Sequence, residues 1–276
     1  MKSERGLVIM ERKIFLAFCF VFLLFNSVLA SSDTVDNNLE LTAGISHITY
    51  EEPDVMEEKG LMYGIIGAFT HNDNFMLRGE TRFSWGEVDY SSSSTGTLDN
   101  IDDYILEFRG LLGRNFSSSD KTTIVPYIGF GYRYLNDDSS GRLTSTGHAG
   151  YERESNYYYS PIGVELITEL ENGWSWGAML EYDIFWKGVQ KSHLSDANLG
   201  FSDLENDQNS GYGLRGSLKF IKKDKTMDFL IEPFITYWNI AKSKEQAVSY
   251  TGIIVGTGYE PKNNSIEIGV KSGVKF

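Results

Sequence analysis

Charged residues of both signs recur at every second position within otherwise apolar stretches of this sequence. Arg78, Glu80 and Arg82 follow one another in this way, and Glu107 with Arg109 repeats the spacing. Side chains two apart on an extended chain point to the same side, so acids and bases collected there can form ion pairs. The predicted ion-pair network comprises Arg78, Glu80, Arg82, Glu107, Arg109, Arg133, Glu165, Glu181, Asp183, Arg215, Lys219 and Glu232. The same alternation assigns to that side Glu40, Glu169, Lys187, Glu267, Lys271 and Lys275.

Other reactive side chains are sparse. The single cysteine, Cys19, lies in an N-terminal apolar run, which leaves the rest of the chain without a disulfide or a thiol nucleophile. His47, His71 and His148 lie on separate segments, so the sequence predicts no metal cluster and no cofactor. The formal net charge of -13 argues against a nucleic-acid partner.

Long alternating strands are the elements that position the charges. In the segment WSWGAMLEYDIFWK, every second residue from Trp174 to Trp186 falls on an apolar face with aromatic ends, and the residues between them form a polar face. Such aromatic ends are typical of membrane strands at the two headgroup levels. The sequence predicts strands at 39–50, 59–70, 75–90, 102–115, 122–135, 155–170, 174–190, 210–222, 227–241 and 264–276.

The connections between these strands alternate between short and long. Short turns on one side and long loops on the other are typical of an outer-membrane barrel. The prediction is therefore an all-β protein, a closed antiparallel up-and-down transmembrane β-barrel of about ten strands, with eight or twelve as alternatives. Residues 248–259 are interpreted as the arm of a long outer loop, and Pro126, Pro161 and Pro233 predict bulges or irregular pairing.

The two ends of the sequence carry export and closure signals. Residues 1–30 combine a basic start with the apolar run Ile14 to Leu29 and end at Ala30, which predicts a cleaved signal peptide followed by a barrel domain, 31–276. The last strand alternates as far as Phe276 and must pair with the first, because an open sheet edge in hydrocarbon leaves backbone groups unpaired.

This last strand resembles the C-terminal signature of Gram-negative outer-membrane proteins, through Val270, Val274 and Phe276. The resemblance implies recognition by the barrel-insertion machinery and by periplasmic chaperones, and residence in the cell outer membrane. The expected surroundings are outer-membrane lipid and lipopolysaccharide, with the chain as a monomer.

The layout also resembles the omptins, outer-membrane proteases with an acidic pair on one strand end and an Asp-x-His across the barrel. The matching segments are GEVDYS and QKSHLSD, where Glu87 and Asp89 stand for the first pair and His193 for the histidine. Lys191 occupies the place of the partner aspartate, and Asp89 has no acid two residues on. The resemblance implies a catalytic role for Glu87, Asp89 and His193 only if this departure is tolerated.

Small surface barrels of the opacity-protein kind are similar over about residues 39–276 in topology and terminus. Members are mostly structural or surface-interaction proteins, so the first hypothesis is a non-enzymatic barrel with acidic outer loops and a plugged lumen. An omptin-like protease and a narrow porin are the alternatives. An eight-stranded barrel is just filled by its side chains, and ten strands are only slightly wider.

Overall fold

The computed structural model describes residues 36–276, which form an almost entirely antiparallel β structure. The predicted signal peptide, residues 1–30, lies outside the described residues. In chain order the strands are β1 (Asp36–Glu52), β2 (Met56–Asn72), β3 (Phe75–Ser92), β4 (Gly96–Arg114), β5 (Phe116–Ser119), β6 (Thr122–Asp138), β7 (Glu152–Glu169), β8 (Trp174–Ser192), β9 (Leu204–Gln208), β10 (Gly211–Lys222), β11 (Asp228–Ile240), β12 (Gln246–Tyr250), β13 (Ile253–Gly258) and β14 (Asn263–Lys275).

Ten of these strands close into a barrel, as predicted. The ring runs β1, β2, β3, β4, β6, β7, β8, β10, β11, β14 and back to β1. The closing pair β1–β14 is antiparallel and in register from Glu40↔Lys275 to Glu51↔Asn264. Each spanning strand therefore has a partner on both sides, which a membrane requires because no water is present to satisfy free backbone groups.

The remaining strands lie at the ends of the ring. β5 extends the pairing of β6 beyond the end of β4, and β9 pairs with the end of β8. Within the sheets β12 and β13 pair with each other, and Tyr250 of β12 forms one isolated bridge with Phe201, so the segment interpreted as an outer loop arm is a hairpin outside the ring. A short helix, Leu194–Ala197, follows β8. Among the described residues, none of the helices is both long and apolar enough to traverse a bilayer.

The three strand prolines each lie beside an interruption in one ladder, without a bulge at the proline itself. Pro126 lies opposite the gap between the end of β4 at Arg114 and the start of β5 at Phe116. The β6–β7 ladder skips pairs beside Pro161, and the β10–β11 ladder skips pairs beside Pro233. Proline has no backbone N–H to donate, and at each of these positions one neighbouring ladder lacks the hydrogen bond that an N–H would have made.

The outward face of the ring is apolar. Leu180 is 69% exposed and Ile128 is 60% exposed, and Trp174 and Trp186 lie near the two ends of β8 on the same face. Large apolar side chains exposed all around a closed sheet are unusual for a protein in water and are the pattern of a lipid-facing surface.

The interior holds three apolar clusters as well as charges. Ile48, Met62, Val88, Ile101 and Ile105 form one of them, toward the end with long loops. The second, toward the same end, consists of Tyr157, Tyr159, Phe185, Trp238 and Ile240. The third, toward the short-turn end, consists of Met76, Leu111, Val125 and Tyr127. The lumen is thus filled by side chains of the barrel itself.

Two tyrosine–glycine pairs lock β6 against β7. Tyr127 lies over its cross-strand partner Gly163, and Tyr159 lies over its cross-strand partner Gly131. A Cβ at Gly131 would approach Tyr159 Cζ to 2.1 Å, and one at Gly163 would approach Tyr127 Cζ to 2.4 Å. Only glycine leaves space for these rings, whose hydroxyl groups reach the charged residues of the lumen.

Candidate functional site

The charged lumen follows from strand alternation and register. Even positions of β3 face inward beside odd positions of β4, so Glu80 is opposite Arg109 and Arg82 is opposite Glu107. Cross-strand neighbours on one face lie about 5 Å apart at Cβ, which long charged side chains span easily. The register therefore places acids next to bases before any contact with more distant strands is made.

Arg215 is the centre of the most buried group, here named the Arg215 cluster. Its guanidinium donates to Glu107 in a bidentate pair, with Nη1–Oε2 at 3.0 Å and Nη2–Oε1 at 2.6 Å. Its Nε lies 2.7 Å from Asp183 Oδ2 and 3.2 Å from Glu181 Oε1. Tyr159 Oη donates to Glu107 Oε1 at 2.7 Å. Three carboxylates thus share one cation, which places Arg215 at the centre of the lumen contacts.

Arg109 connects this cluster to the strands on the opposite side. It pairs with Glu80, Nη1–Oε2 at 2.6 Å, and its Nη2 contacts Glu181. Tyr127 Oη also donates to Glu181 at 2.7 Å. The chain of contacts crosses the barrel from β3 to β8, so it blocks the bore rather than lining it.

A second charged group fills the lumen toward the short-turn end. Arg78 lies 3.4 Å from Glu40 and 3.6 Å from Glu165. Lys219 Nζ lies 3.0 Å from Glu40 and 3.7 Å from Glu232. In this group each acid lies near a base from another strand, as the high cost of an unpaired buried ion demands.

Small cavities lie between these groups in the described part of the chain, and two of them are lined by residues of both groups. Each measures about 80 Å³, and both have Glu80, Arg109, Glu232 and Lys271 in their walls. Such a volume holds only a handful of water molecules.

Arg133 departs from the predicted network. Its guanidinium lies over the Trp238 ring, 5.6 Å from the centroid, and its Nη1 has no hydrogen-bond partner in the described part of the chain. Among the described residues Arg133 has no carboxylate within ion-pair distance, and a cation–π contact with Trp238 stands in place of the expected ion pair. Strand parity predicted its direction but not its partner.

Lys187 and Glu169 do not face the lumen as predicted. The β7–β8 register shifts beside Trp186, between the pairs Tyr158↔Lys187 and Tyr159↔Phe185. This bulge reverses the alternation beyond it, so Lys187 is exposed and pairs with Asp207 at 2.9 Å. Glu169 is exposed at the short-turn end of β7, where it pairs with Lys223 at 2.7 Å.

A rim cluster closes the lumen at the end with long loops, and the sequence analysis missed it. Arg153 Nη2 lies 2.8 Å from Glu260, also contacts Glu52, and stacks over the Tyr50 ring at 5.6 Å. Burial raises the pKa of Glu260 to about 7, with Arg153 opposing and Glu52 adding to the rise. Arg153 and Glu260 both fell in segments predicted as loops, so the alternation argument was not applied to them.

The three weak catalytic candidates do not contact one another. Glu87 and Asp89 are exposed on the outward face of β3, since Val88 between them points into the core. His193 begins the loop after β8, where its Nε2 lies 3.1 Å from Glu154 and its Nδ1 lies 3.4 Å from Asp203. The structure thus gives His193 acidic partners that the omptin pattern did not indicate.

Glu152, Glu154 and His193 each offer a ligand atom, and these atoms lie within 4.8 Å of one another. This trio is here named the His193 site. The sequence predicted no metal cluster because only histidines were compared with one another. The partner acids lie about forty residues earlier, at the start of β7, and become neighbours only because β7 and β8 pair.

His193 should titrate above its ordinary pKa of 6.5 when no metal is bound. Partial burial opposes protonation, but the Glu154 hydrogen bond and the charges of Glu152 and Asp203 outweigh it and raise the pKa. Because the folded pKa is raised, the stabilisation is fully present below the unfolded value and is lost as pH rises through the folded value. Imidazole NMR titration with chelator present measures the pKa. A midpoint at or below the ordinary value would contradict the assignment.

The residues proposed as an assembly signal lie on the lipid-facing side of the closing strand. Val270 and Val274 pair with β1 and β11, and Phe276 is 54% exposed. The Phe276 backbone exchanges hydrogen bonds with Leu39, N–O at 2.9 and 3.1 Å. The terminal ring therefore belongs to the seam that closes the barrel.

A family model described as the autotransporter β-domain matches residues 41–234. A search of curated protein sequences gave no match. Among solved structures, the outer membrane protease OmpT from Escherichia coli is similar with a TM-score of 0.62 and 10% identity, over 88% of this chain and 96% of that one.

Two further barrels align less well. The translocator domain of the autotransporter NalP from Neisseria meningitidis aligns with a TM-score of 0.44 and 11% identity, over 94% of this chain and 95% of that one. The Pseudomonas putida toluene transporter TodX aligns with a TM-score of 0.34 and 11% identity, over 89% of this chain and 90% of that one. At such identity the likeness to OmpT concerns the fold alone.

Proposed function

The chain belongs to the autotransporter β-domain family, and from this premise we propose that it is an outer-membrane barrel with a closed lumen that presents its long loops at the cell surface. In this proposal it acts as a structural and surface-interaction protein and catalyses no reaction. The observation that carries the proposal is the chain of ion pairs through Arg109 and Arg215, which spans the bore from wall to wall.

The packing supports a scaffold more than a pore. Charged groups block the lumen at two levels, and apolar clusters and the rim cluster fill much of the remainder. A diffusion channel needs a continuous aqueous path, whereas the two cavities hold a handful of waters each.

The surroundings of the proposed scaffold follow from its surface. The exposed apolar belt suits outer-membrane lipid, and the loops at the long-loop end would meet lipopolysaccharide and external partners. We propose insertion of a monomer by the barrel-insertion machinery after passage with periplasmic chaperones. The likeness in fold suggests proteolysis as a second class of function. The outward position of Glu87 and Asp89 argues against it.

We expect the unmutated protein to show no steady conductance in a planar lipid bilayer. The guanidinium groups fill a bore that is only slightly wider than one that side chains already close. The matched variant is Arg109→Ala combined with Glu181→Ala, which removes an acid and a base together and should admit small ions. The exposed pair variant Lys187→Ala with Asp207→Ala serves as the control and should stay closed.

Steady nanosiemens-scale currents from the unmutated barrel would overturn this proposal in favour of a narrow porin. Cleavage of a peptide substrate that is lost in His193→Gln would overturn the non-enzymatic part and favour a protease. The two measurements are independent, since a closed barrel can still carry a surface active site.

A further inference from the structure

The His193 site lies on the outside of the barrel at the end with long loops. Glu152 and Glu154 are two residues apart at the start of β7, so both point away from the lumen while Arg153 between them points in. The backbone N–H of His193 donates to the carbonyl of Glu152 at 2.9 Å, which holds the histidine beside these acids. Three potential ligands thus converge from two neighbouring elements.

The ligand geometry fits a tetrahedral metal ion. His193 Nε2 and Glu154 Oε1 are 3.1 Å apart. Two ligands at about 2.1 Å from a tetrahedral zinc ion lie roughly 3.4 Å from each other. The pair therefore needs only a small outward shift to share a cation.

Two of the three ligands, His193 and Glu152, are each oriented by a second residue. Asp203 Oδ2 lies 3.4 Å from the other ring nitrogen of His193, and Asp203 Oδ1 accepts the backbone N–H of Ser195 at 3.1 Å. Asn136 Nδ2 donates to Glu152 Oε1 at 2.7 Å. A histidine that donates its second N–H to a carboxylate, beside a ligating carboxylate that is itself hydrogen-bonded, is the usual arrangement around protein-bound metals.

The site carries an excess of negative charge, which favours the binding of a cation. Within the described residues Glu152 forms no ion pair with lysine or arginine, and Lys191, opposite Glu154 in the ladder, directs its Nζ toward Glu205 at 3.8 Å. His193 alone stands between Glu154 and Asp203. In its metal-free form it can offset at most one of these negative charges.

We propose that Glu152, Glu154 and His193 bind a divalent transition-metal ion of the zinc class at the cell-surface end of the barrel. One imidazole nitrogen with two carboxylates favours such an ion over calcium or magnesium, which prefer oxygen ligands alone. The side chains of His193 and Glu154 are 27% and 22% exposed, so the ion can enter from solvent and water can complete its coordination.

The test is calorimetric titration of the full-length, detergent-solubilised barrel with zinc chloride after chelator treatment and dialysis. We expect saturable binding of about one ion per chain, which His193→Gln abolishes in the measured range. Asp203→Asn, which removes only the orienting carboxylate, should weaken zinc affinity by about 10- to 100-fold. His148→Asn is the matched control, because this loop histidine contacts Thr146 and no acidic pair, and it should bind zinc as the parent does.

X-ray absorption on the zinc-loaded barrel gives a readout of the ligands themselves. A first shell of nitrogen and oxygen atoms without sulfur, with the outer-shell scattering of one imidazole ring, is the expected result. Absence of saturable binding, equal loss in His148→Asn, or unchanged binding in His193→Gln would each overturn the proposal. Heat-modified migration on gels tests whether each variant is folded, and only folded variants are compared, so that a negative result is not caused by unfolding.

Discussion

Replacement of Arg215 by methionine is expected to destabilise the folded barrel by about 3 to 5 kcal/mol. Methionine keeps most of the volume but leaves Glu107, Glu181 and Asp183 without their common cation, and Asp183 is fully buried. The cost is that of uncompensated buried charge rather than of lost packing. Denaturant titration of the refolded protein in lipid vesicles, followed by tryptophan fluorescence, measures the free energy of unfolding.

The matched control for Arg215→Met is Lys223→Met. Lys223 also pairs with an acid, Glu169, but both side chains are about half exposed, so its removal should change the free energy of unfolding by less than about 1 kcal/mol. Adding Glu107→Gln to Arg215→Met removes one stranded charge and should recover part of the loss. Equal stability of Arg215→Met and Lys223→Met would show that the cluster contributes nothing beyond a surface pair.

Replacement of Gly131 by alanine is the second large effect, expected to destabilise the barrel by about 1 to 3 kcal/mol. The new Cβ would lie 2.1 Å from Tyr159 Cζ. The Tyr159 ring is held in place on two sides. Its hydroxyl contacts Glu107 and Arg215, and it packs edge-to-face with Trp238, with the ring centroids 5.0 Å apart. The same vesicle unfolding assay gives the difference.

Gly110→Ala serves as the control for Gly131→Ala, since a Cβ at Gly110 meets nothing within 4 Å. We expect it to be close to neutral. Combining Gly131→Ala with Tyr159→Leu should cost less than the sum of the two single changes, because the clash disappears with the ring. Additive losses would mean that the ring and the glycine are not coupled.

Strand positions and inward-facing residues were predictable because a transmembrane barrel fixes both by alternation. Arg215 and Glu107 face inward for that reason alone. Alternation cannot predict the partner of an inward-facing charge: Arg133 faces inward as expected, but it lies over the ring of Trp238 instead of forming an ion pair. Alternation also cannot predict which residues face inward beyond a bulge. One extra residue at Trp186 is enough to turn Lys187 outward.

The candidate sites at the long-loop end were the least predictable. Arg153 and Glu260 come from segments predicted as loops, more than a hundred residues apart, and His193 meets Glu152 only through the pairing of two strands. Arg153 lies in β7 but before the predicted strand start at residue 155, and Glu260 and His193 lie outside the strands, so the alternation argument did not reach them. A rule that extends the inward and outward alternation past the expected strand end would have found Arg153 and its neighbours.

The β12–β13 hairpin has a consequence for how this barrel can evolve. Its strands pair with each other and with no strand of the ring, and its turn at Thr251 and Gly252 uses left-handed backbone, with φ of 48° and 84°. Insertions or exchanges there leave every ladder of the ring intact. The hairpin can therefore change in length or sequence while the pairing of the ring that carries it stays unchanged.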